Sequence, residues 1–186
     1  MFSENYYLAG GTAVALYLGH RISGDFELFT RKNIYRYRIR KQLEKTGYTI
    51  DYLIYESADQ LHLTIDSVNM SFFSFPYKVC AGLWFERTIQ LPDLLSLAAM
   101  KAFLLGRRAT WPDYVDLYFL LRDHFTLKQI IEKADDLFET SFSEKLFRRE
   151  LSCFNNLDHR QPIKYLVSFP PTHEVQRFLR DQARSH

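Results

Sequence analysis

The stretch Tyr6-Tyr7-Leu8-Ala9-Gly10-Gly11-Thr12, continued after seven residues by His20-Arg21-Ile22-Ser23-Gly24-Asp25-Phe26-Glu27-Leu28-Phe29, carries the reading on which the rest of the chain depends. It predicts a short apolar strand, a tight glycine turn opening a helix, a polar loop and a second strand bearing two acids. Side chains on a strand alternate between faces, so Asp25 and Glu27 point one way while Phe26 and Leu28 point into a core. Two carboxylates on one face repel unless a cation lies between them, and hard oxygen donors suit Mg²⁺ or Mn²⁺. The paired glycines Gly10 and Gly11 let a backbone approach an anion closely, and the N–H groups at the start of a helix face it. A metal-holding acid pair beside an anion-holding turn points to a metal–nucleoside triphosphate. Taken one at a time, these features have plainer readings. An acid pair is often a solvated strand face, the glycines a simple turn, and Thr12 a helix cap.

The order and spacing of the pieces resemble the nucleotidyltransferase superfamily: Ala9-Gly10-Gly11, thirteen intervening residues, then Asp25-Phe26-Glu27-Leu28. The wording Tyr-Leu-Ala-Gly-Gly-Thr-Ala, Leu-Gly-His-Arg and Ser-Gly-Asp-Phe-Glu-Leu-Phe is similar to the AbiEii/AbiGii-type nucleotidyltransferases, which include toxins of bacterial toxin–antitoxin and phage-defence systems. A downstream block matches as well: Lys101, Arg107-Arg108, and Asp113 to Asp116 in Pro-Asp-Tyr-Val-Asp. The resemblance spans Tyr6 to Arg122. It implies an α+β fold with a small mixed sheet in residues 1–90, followed by a helical region, 91–186, packed on that core.

The resemblance also implies an activity, the Mg²⁺-dependent transfer of a nucleoside monophosphate from an NTP to RNA, tRNA or a protein. An antitoxin is the implied partner. Asp25 and Glu27 would hold the metal, and Gly10, Gly11, Thr12 and Ser23 would cradle the nucleotide. Arg21 and Lys101 would add cationic stabilisation, with Asp113 orienting them. One departure stands out. Polymerase-type relatives carry a third carboxylate on a later strand, and in Val68-Asn69-Met70-Ser71-Phe72-Phe73 that place falls to Ser71. Asp51 and Asp66 are the remaining candidates. The missing acid keeps open a second reading, a nucleotide-binding module without transfer chemistry that acts through a protein partner. A third reading makes the glycines and acids purely architectural.

Composition sets the outer limits. The 186 residues are 47% hydrophobic and 25% charged, as in an ordinary globular chain with a substantial core. Phe 16 and Tyr 12 make that core aromatic-rich. A net charge of +2 does not argue for nucleic-acid binding. Seven cations between Arg31 and Lys45 could follow RNA phosphates, or simply solvate a helix face. Two cysteines form no disulfide framework. With no signal-peptide pattern and no apolar run of about eighteen residues, a cytoplasmic, membrane-free location is expected.

Locally, Asn33 is expected to cap a helix reaching about Thr46, and Tyr48–Tyr55 to form a strand. Asp66-Ser67 should turn a hairpin. Helices are expected to start at Pro92 and Pro112, and others to be capped by Thr126, by a Ser141/Glu144 capping box and by Thr172.

Overall fold

The computed structural model describes residues 4–105, 107, 110–155, 157 and 162–185. Arg108, part of the downstream block that carries the resemblance, lies outside them. The fold is α+β and divides into two compact units, residues 1–13 with 23–93, and residues 14–22 with 94–186. Residues 14–22 group with the second unit, so the division is not a single cut along the chain.

The first unit holds a seven-stranded mixed sheet with strand order β3-β4-β5-β2-β1-β7-β6. Its strands are β1 (Tyr7–Ala9), β2 (Phe26–Thr30), β3 (Ile50–Glu56), β4 (Gln60–Ile65), β5 (Val68–Ser74), β6 (Ala81–Phe85) and β7 (Ile89–Pro92). Helix α1 (Gly10–Leu18) follows β1 without a loop, and β2 returns antiparallel to β1, pairing Ala9 with Glu27. Phe26 therefore starts one residue past the end of β1, and it stands exposed where the alternation pattern put it in the core; Leu28 is buried as expected. Strand β5 pairs with β2 in parallel and with β4 in antiparallel. Leu61, Leu63, Ile65 and Phe72 are buried along one face of this sheet.

The β4–β5 hairpin turns at Asp66 and Ser67 as expected, both with positive φ (45° and 66°), the geometry of a two-residue turn whose twist matches the strands. A second hairpin, β6–β7, turns at Glu86 and Arg87, also at positive φ, and carries no glycine or asparagine to announce it. Pro92 ends β7 and does not open a helix. Helix α2 (Arg36–Lys45) begins after Tyr35, later than a cap at Asn33 would place it, and buries Ile39 and Leu43.

The second unit is helical: α3 (Leu94–Leu105), α4 (Trp111–Asp123), α5 (Leu127–Phe138), α6 (Glu144–Ser152) and α7 (Thr172–Arg184). Helix α3 is apolar almost all round, and it contacts α4, α5 and α6, as a helix without a polar face must. Phe103 stacks on Phe138 at 4.1 Å between ring centroids. Pro112 lies in the first turn of α4, and the Thr126 hydroxyl accepts from the Gln129 N–H to cap α5. Helix α6 is capped by Ser143, whose hydroxyl accepts from the Leu146 N–H, because Ser141 is occupied in a 3₁₀ turn (Glu139–Ser141). Helix α7 takes Thr172 as its first residue and not as its cap, because Pro171, with φ of -54° and ψ of 145°, holds the cap position. No helix among the described residues is long and apolar enough to cross a membrane.

Candidate active site

Gly10 turns β1 into α1 with φ of +68°, a conformation that residues with a Cβ adopt at a cost. Space enforces the choice as well. A Cβ there would overlap Oε2 of Glu27 outright and lie 2.6 Å from its Cδ. The Glu27 carboxylate thus rests directly over the start of α1, where a helix presents its unsatisfied N–H groups and the positive end of its dipole. The antiparallel pairing of Ala9 with Glu27 produces this contact. Gly11 follows within the same first turn.

Thr12 is buried. Its hydroxyl lies 2.9 Å from Ser23 Oγ, the two sharing a hydrogen bond, and donates to the Asp25 carbonyl. Thr12 and Ser23 therefore tie the polar loop to the first turn of α1 and fix where Asp25 emerges. Asp25 itself is exposed, and its Oδ1 accepts from Asn69 Nδ2 at 3.0 Å. The Thr64 hydroxyl donates to Asn69 Oδ1 at 3.0 Å, which turns the amide so that its NH₂ faces Asp25. Parallel register sets Ser71 beside Glu27. Ser71 Oγ lies 3.1 Å from Nδ1 of His62 on β4. Asn69 and His62 went unmarked in the sequence because strand register, not spacing, brings them here.

Asp51 and Asp66 take no part in this row. Asp51 accepts from the Ser67 N–H at 2.7 Å and Asp66 from the Thr49 N–H at 3.2 Å, so both carboxylates secure the hairpin end. Strand β3, which carries Asp51, is three strands from β2, about 14 Å at ordinary strand spacing. No group of three or more His, Cys, Asp or Glu able to hold a metal occurs among the described residues. Asp25 and Glu27 are the two carboxylates that would hold a Mg²⁺ here, an ion that commonly takes one or two carboxylates and completes its shell with water and substrate phosphates.

The second unit contains Arg21, Lys101 and Asp113, gathered around Asp116. Asp116 is completely buried. It receives Nε and Nη2 of Arg21 at 2.7 and 2.9 Å, Nζ of Lys101 at 2.8 Å, and Nε2 of His20 at 2.8 Å. Lys101 also donates to Asp113 Oδ1 at 2.6 Å, and the Thr110 hydroxyl donates to Asp113 Oδ2 at 2.6 Å. A carboxylate only accepts, so the His20 proton sits on Nε2, and its Nδ1 is buried with no hydrogen-bond partner among the described residues. Burial would raise the Asp116 pKa, but the Lys101 charge and the hydrogen bonds from His20 and Arg21 reverse that and hold it well below the usual carboxylate range. The same carboxylate raises the Arg21 pKa against the lowering effect of its burial. Arg21 and Lys101 are thus largely buried ion-pair partners, and Asp113 both joins the cluster and accepts at the start of α4.

The fold agrees with the comparisons to known proteins. The family of the nucleotidyl transferase AbiEii toxin, from type IV toxin–antitoxin systems, matches residues 2–181. The chain belongs to this AbiEii family. Its membership makes the protein a nucleotidyltransferase of a toxin family, with an NTP as substrate and an antitoxin as the partner the family implies. An uncharacterized protein of Aquifex aeolicus (strain VF5) is 31% identical over 178 residues, covering 92% of this chain and 77% of the relative. Among solved structures, JHP933 from Helicobacter pylori superposes with a TM-score of 0.58 at 13% identity, covering 97% of this chain and 82% of that one. MenT4, a nucleotidyltransferase toxin from Mycobacterium tuberculosis H37Rv, gives 0.58 at 13% identity, covering 97% of this chain and 74% of that one. At such identities these two structures show a shared fold with this AbiEii member.

Proposed function

We propose that this AbiEii protein transfers a nucleoside monophosphate from an NTP to an acceptor hydroxyl, using Mg²⁺ held by Asp25 and Glu27. The observation that carries the reading is the Glu27 carboxylate lying over Gly10, with Asp25 on the same strand face held by Asn69. Gly10 and Gly11 supply the backbone N–H groups that receive phosphate, while Thr12 and Ser23 hold the loop that presents Asp25. A bound Mg²⁺ supplies charge neutralisation on the phosphates as the bond to pyrophosphate breaks. The participation of Arg21, Lys101 and Asp113 in turnover belongs to the same proposal and rests on the family resemblance.

For the acceptor, RNA is the class the surface favours. Helix α2 and the residue before it expose Tyr37 and Tyr35, with the Lys41 ammonium 4.9 Å from the first ring and the Arg38 guanidinium 4.8 Å from the second. Aromatic faces with adjacent cations suit unpaired bases and their phosphates. Arg36 and Arg40 are less available, since both pair with Glu56.

A second reading, nucleotide binding without transfer, is favoured by Asn69 and Ser71 standing on β5 where an acid would complete a polymerase-type site. One experiment separates the two. The protein is incubated with Mg²⁺, each α-labelled NTP and total bacterial RNA, alongside Asp25→Ala. Label moving onto RNA in the wild type and lost at least 100-fold in the variant supports transfer. Mg²⁺-dependent NTP binding without label on RNA or protein supports the binding module, and absence of both overturns the site.

A further inference from the structure

A transfer to a hydroxyl leaves one proton to be placed, and the acids of the proposed site are not suited to it. Asp25 and Glu27 are already assigned to a cation in the transfer reading. Asp51 and Asp66 are committed to the far hairpin end. The polar face of β4 and β5 instead presents Gln60, His62 and Thr64 beside Asn69, Ser71 and Phe73. Of these side chains, an imidazole is the one that ordinarily gains or loses a proton near neutral pH.

Geometry orients that imidazole for the task. His62 Nε2 lies 3.1 Å from Gln60 Oε1. An amide oxygen only accepts, so Nε2 carries the hydrogen and Nδ1 is left with its lone pair. That lone pair faces the Ser71 hydroxyl at 3.1 Å, and Ser71 is the parallel-register neighbour of Glu27. The ring is held edge-on between Tyr55 and Phe73, at 5.7 and 5.2 Å between centroids. On the opposite side of the strand, Leu61 and Leu63 are fully buried, which prevents β4 from slipping in register. A hydroxyl bonded to a base that is itself oriented by a third group is an arrangement suited to proton movement. It shares a sheet face with Glu27, the parallel-register partner of Ser71.

We infer that His62, acting through Ser71, takes up the proton that the acceptor hydroxyl loses, filling beside Glu27 the place of a third carboxylate. The inference rests on the transfer reading above. As the acceptor oxygen forms its bond to the α-phosphorus, the bond from that phosphorus to the β-phosphate oxygen breaks and pyrophosphate leaves with the electron pair. The acceptor proton passes to Ser71 Oγ, while the Ser71 proton passes to the Nδ1 lone pair of His62. Gln60 Oε1 continues to accept from Nε2–H, steadying the imidazolium, which then returns its proton to solvent. His62 is the positioning and proton-holding residue, and Ser71 Oγ is the atom that meets the acceptor.

The test measures transfer of label from an α-labelled NTP to total bacterial RNA, together with Mg²⁺-dependent NTP affinity and the thermal midpoint, in wild type, His62→Gln, Ser71→Ala and the double variant His62→Gln/Ser71→Asp. A positioned base contributes about 10²–10⁴-fold, so each single variant is expected to lose at least about 100-fold in rate with NTP affinity within about threefold. The double variant places a carboxylate beside Glu27 and is expected to recover at least about tenfold over His62→Gln. A merely structural role for His62 would not allow that recovery. The inference is overturned if His62→Gln keeps a rate within threefold of wild type, if affinity falls in step with rate, or if the carboxylate brings no recovery. A wild type that binds NTP yet transfers no label overturns the transfer reading itself, a result distinct from all of these.

Discussion

Replacing Gly10 by alanine tests the site where backbone geometry and chemistry meet. Two costs separate cleanly, because Gly47 has the same handedness of backbone, φ of +82°, with nothing within 4 Å of a built Cβ. Gly47→Ala therefore carries only the strain of the left-handed region, about 1–2 kcal/mol, offset by about 0.4–1 kcal/mol from a less flexible unfolded chain. Its net loss should be about 1 kcal/mol. Gly10→Ala carries the same strain and must also displace the Glu27 carboxylate, whose Oε2 the new methyl overlaps and whose Cδ lies 2.6 Å away. Forcing Glu27 off its rotamer adds about 0.5–1.5 kcal/mol, for a total near 2 kcal/mol. Urea unfolding followed by circular dichroism measures both losses, and titration with a fluorescent NTP analogue in Mg²⁺ measures the site. Gly47→Ala should bind as wild type, and Gly10→Ala at least tenfold more weakly. Equal stability losses in the two variants, with unchanged nucleotide affinity in Gly10→Ala, would refute the role assigned to the Glu27–Gly10 contact.

The other two expectations concern the scaffold. Asp116→Asn removes the charge that Arg21 and Lys101 share and should cost about 3–5 kcal/mol at pH 7, read by denaturant unfolding. Because the folded Asp116 pKa is depressed, its contribution is fully present above the unfolded value of about 3.9 and is lost as pH falls toward the folded one, so the variant should show a flatter decline in stability below about pH 4. An acid limb as steep in the variant as in wild type would place the proton uptake elsewhere. Ser67→Gly relieves a positive φ of 66° at the β4–β5 turn and should raise the thermal midpoint by a few degrees, equivalent to about 1 kcal/mol; a lower midpoint would count against the turn geometry.

Features governed by neighbours in sequence were legible from the chain. The Gly10-Gly11 turn, the shared face of Asp25 and Glu27, the Asp66-Ser67 hairpin, the Pro112 helix start and the Thr126 cap each depend on a few adjacent residues and their backbone preferences. The misplaced starts at Asn33, Pro92 and Ser141 show the limit of the same logic. Each residue type suits a helix start, but Pro92 was claimed by a strand and Ser141 by a 3₁₀ turn. The β6–β7 hairpin escaped notice because Glu86 and Arg87 take positive φ without the usual turn residues. There, pairing of the flanking strands overrides local preference.

Which strand lies beside β2 is a different kind of fact. Asp25 meets Asn69 across 44 positions, and Asp116 meets Arg21 across 95, because burial of whole strand and helix faces selects those neighbours. By itself the sequence determined the family, the α+β character and the acid pair with its glycine turn, since each is written in local spacing. The tertiary structure alone decided that Ser71 stands beside Glu27 with His62 next to Ser71 on β4, and that Asp116 is the hub of the second unit's ion cluster. Both depend on long-range packing, whose energy is shared among many side chains and leaves no short signature in the chain.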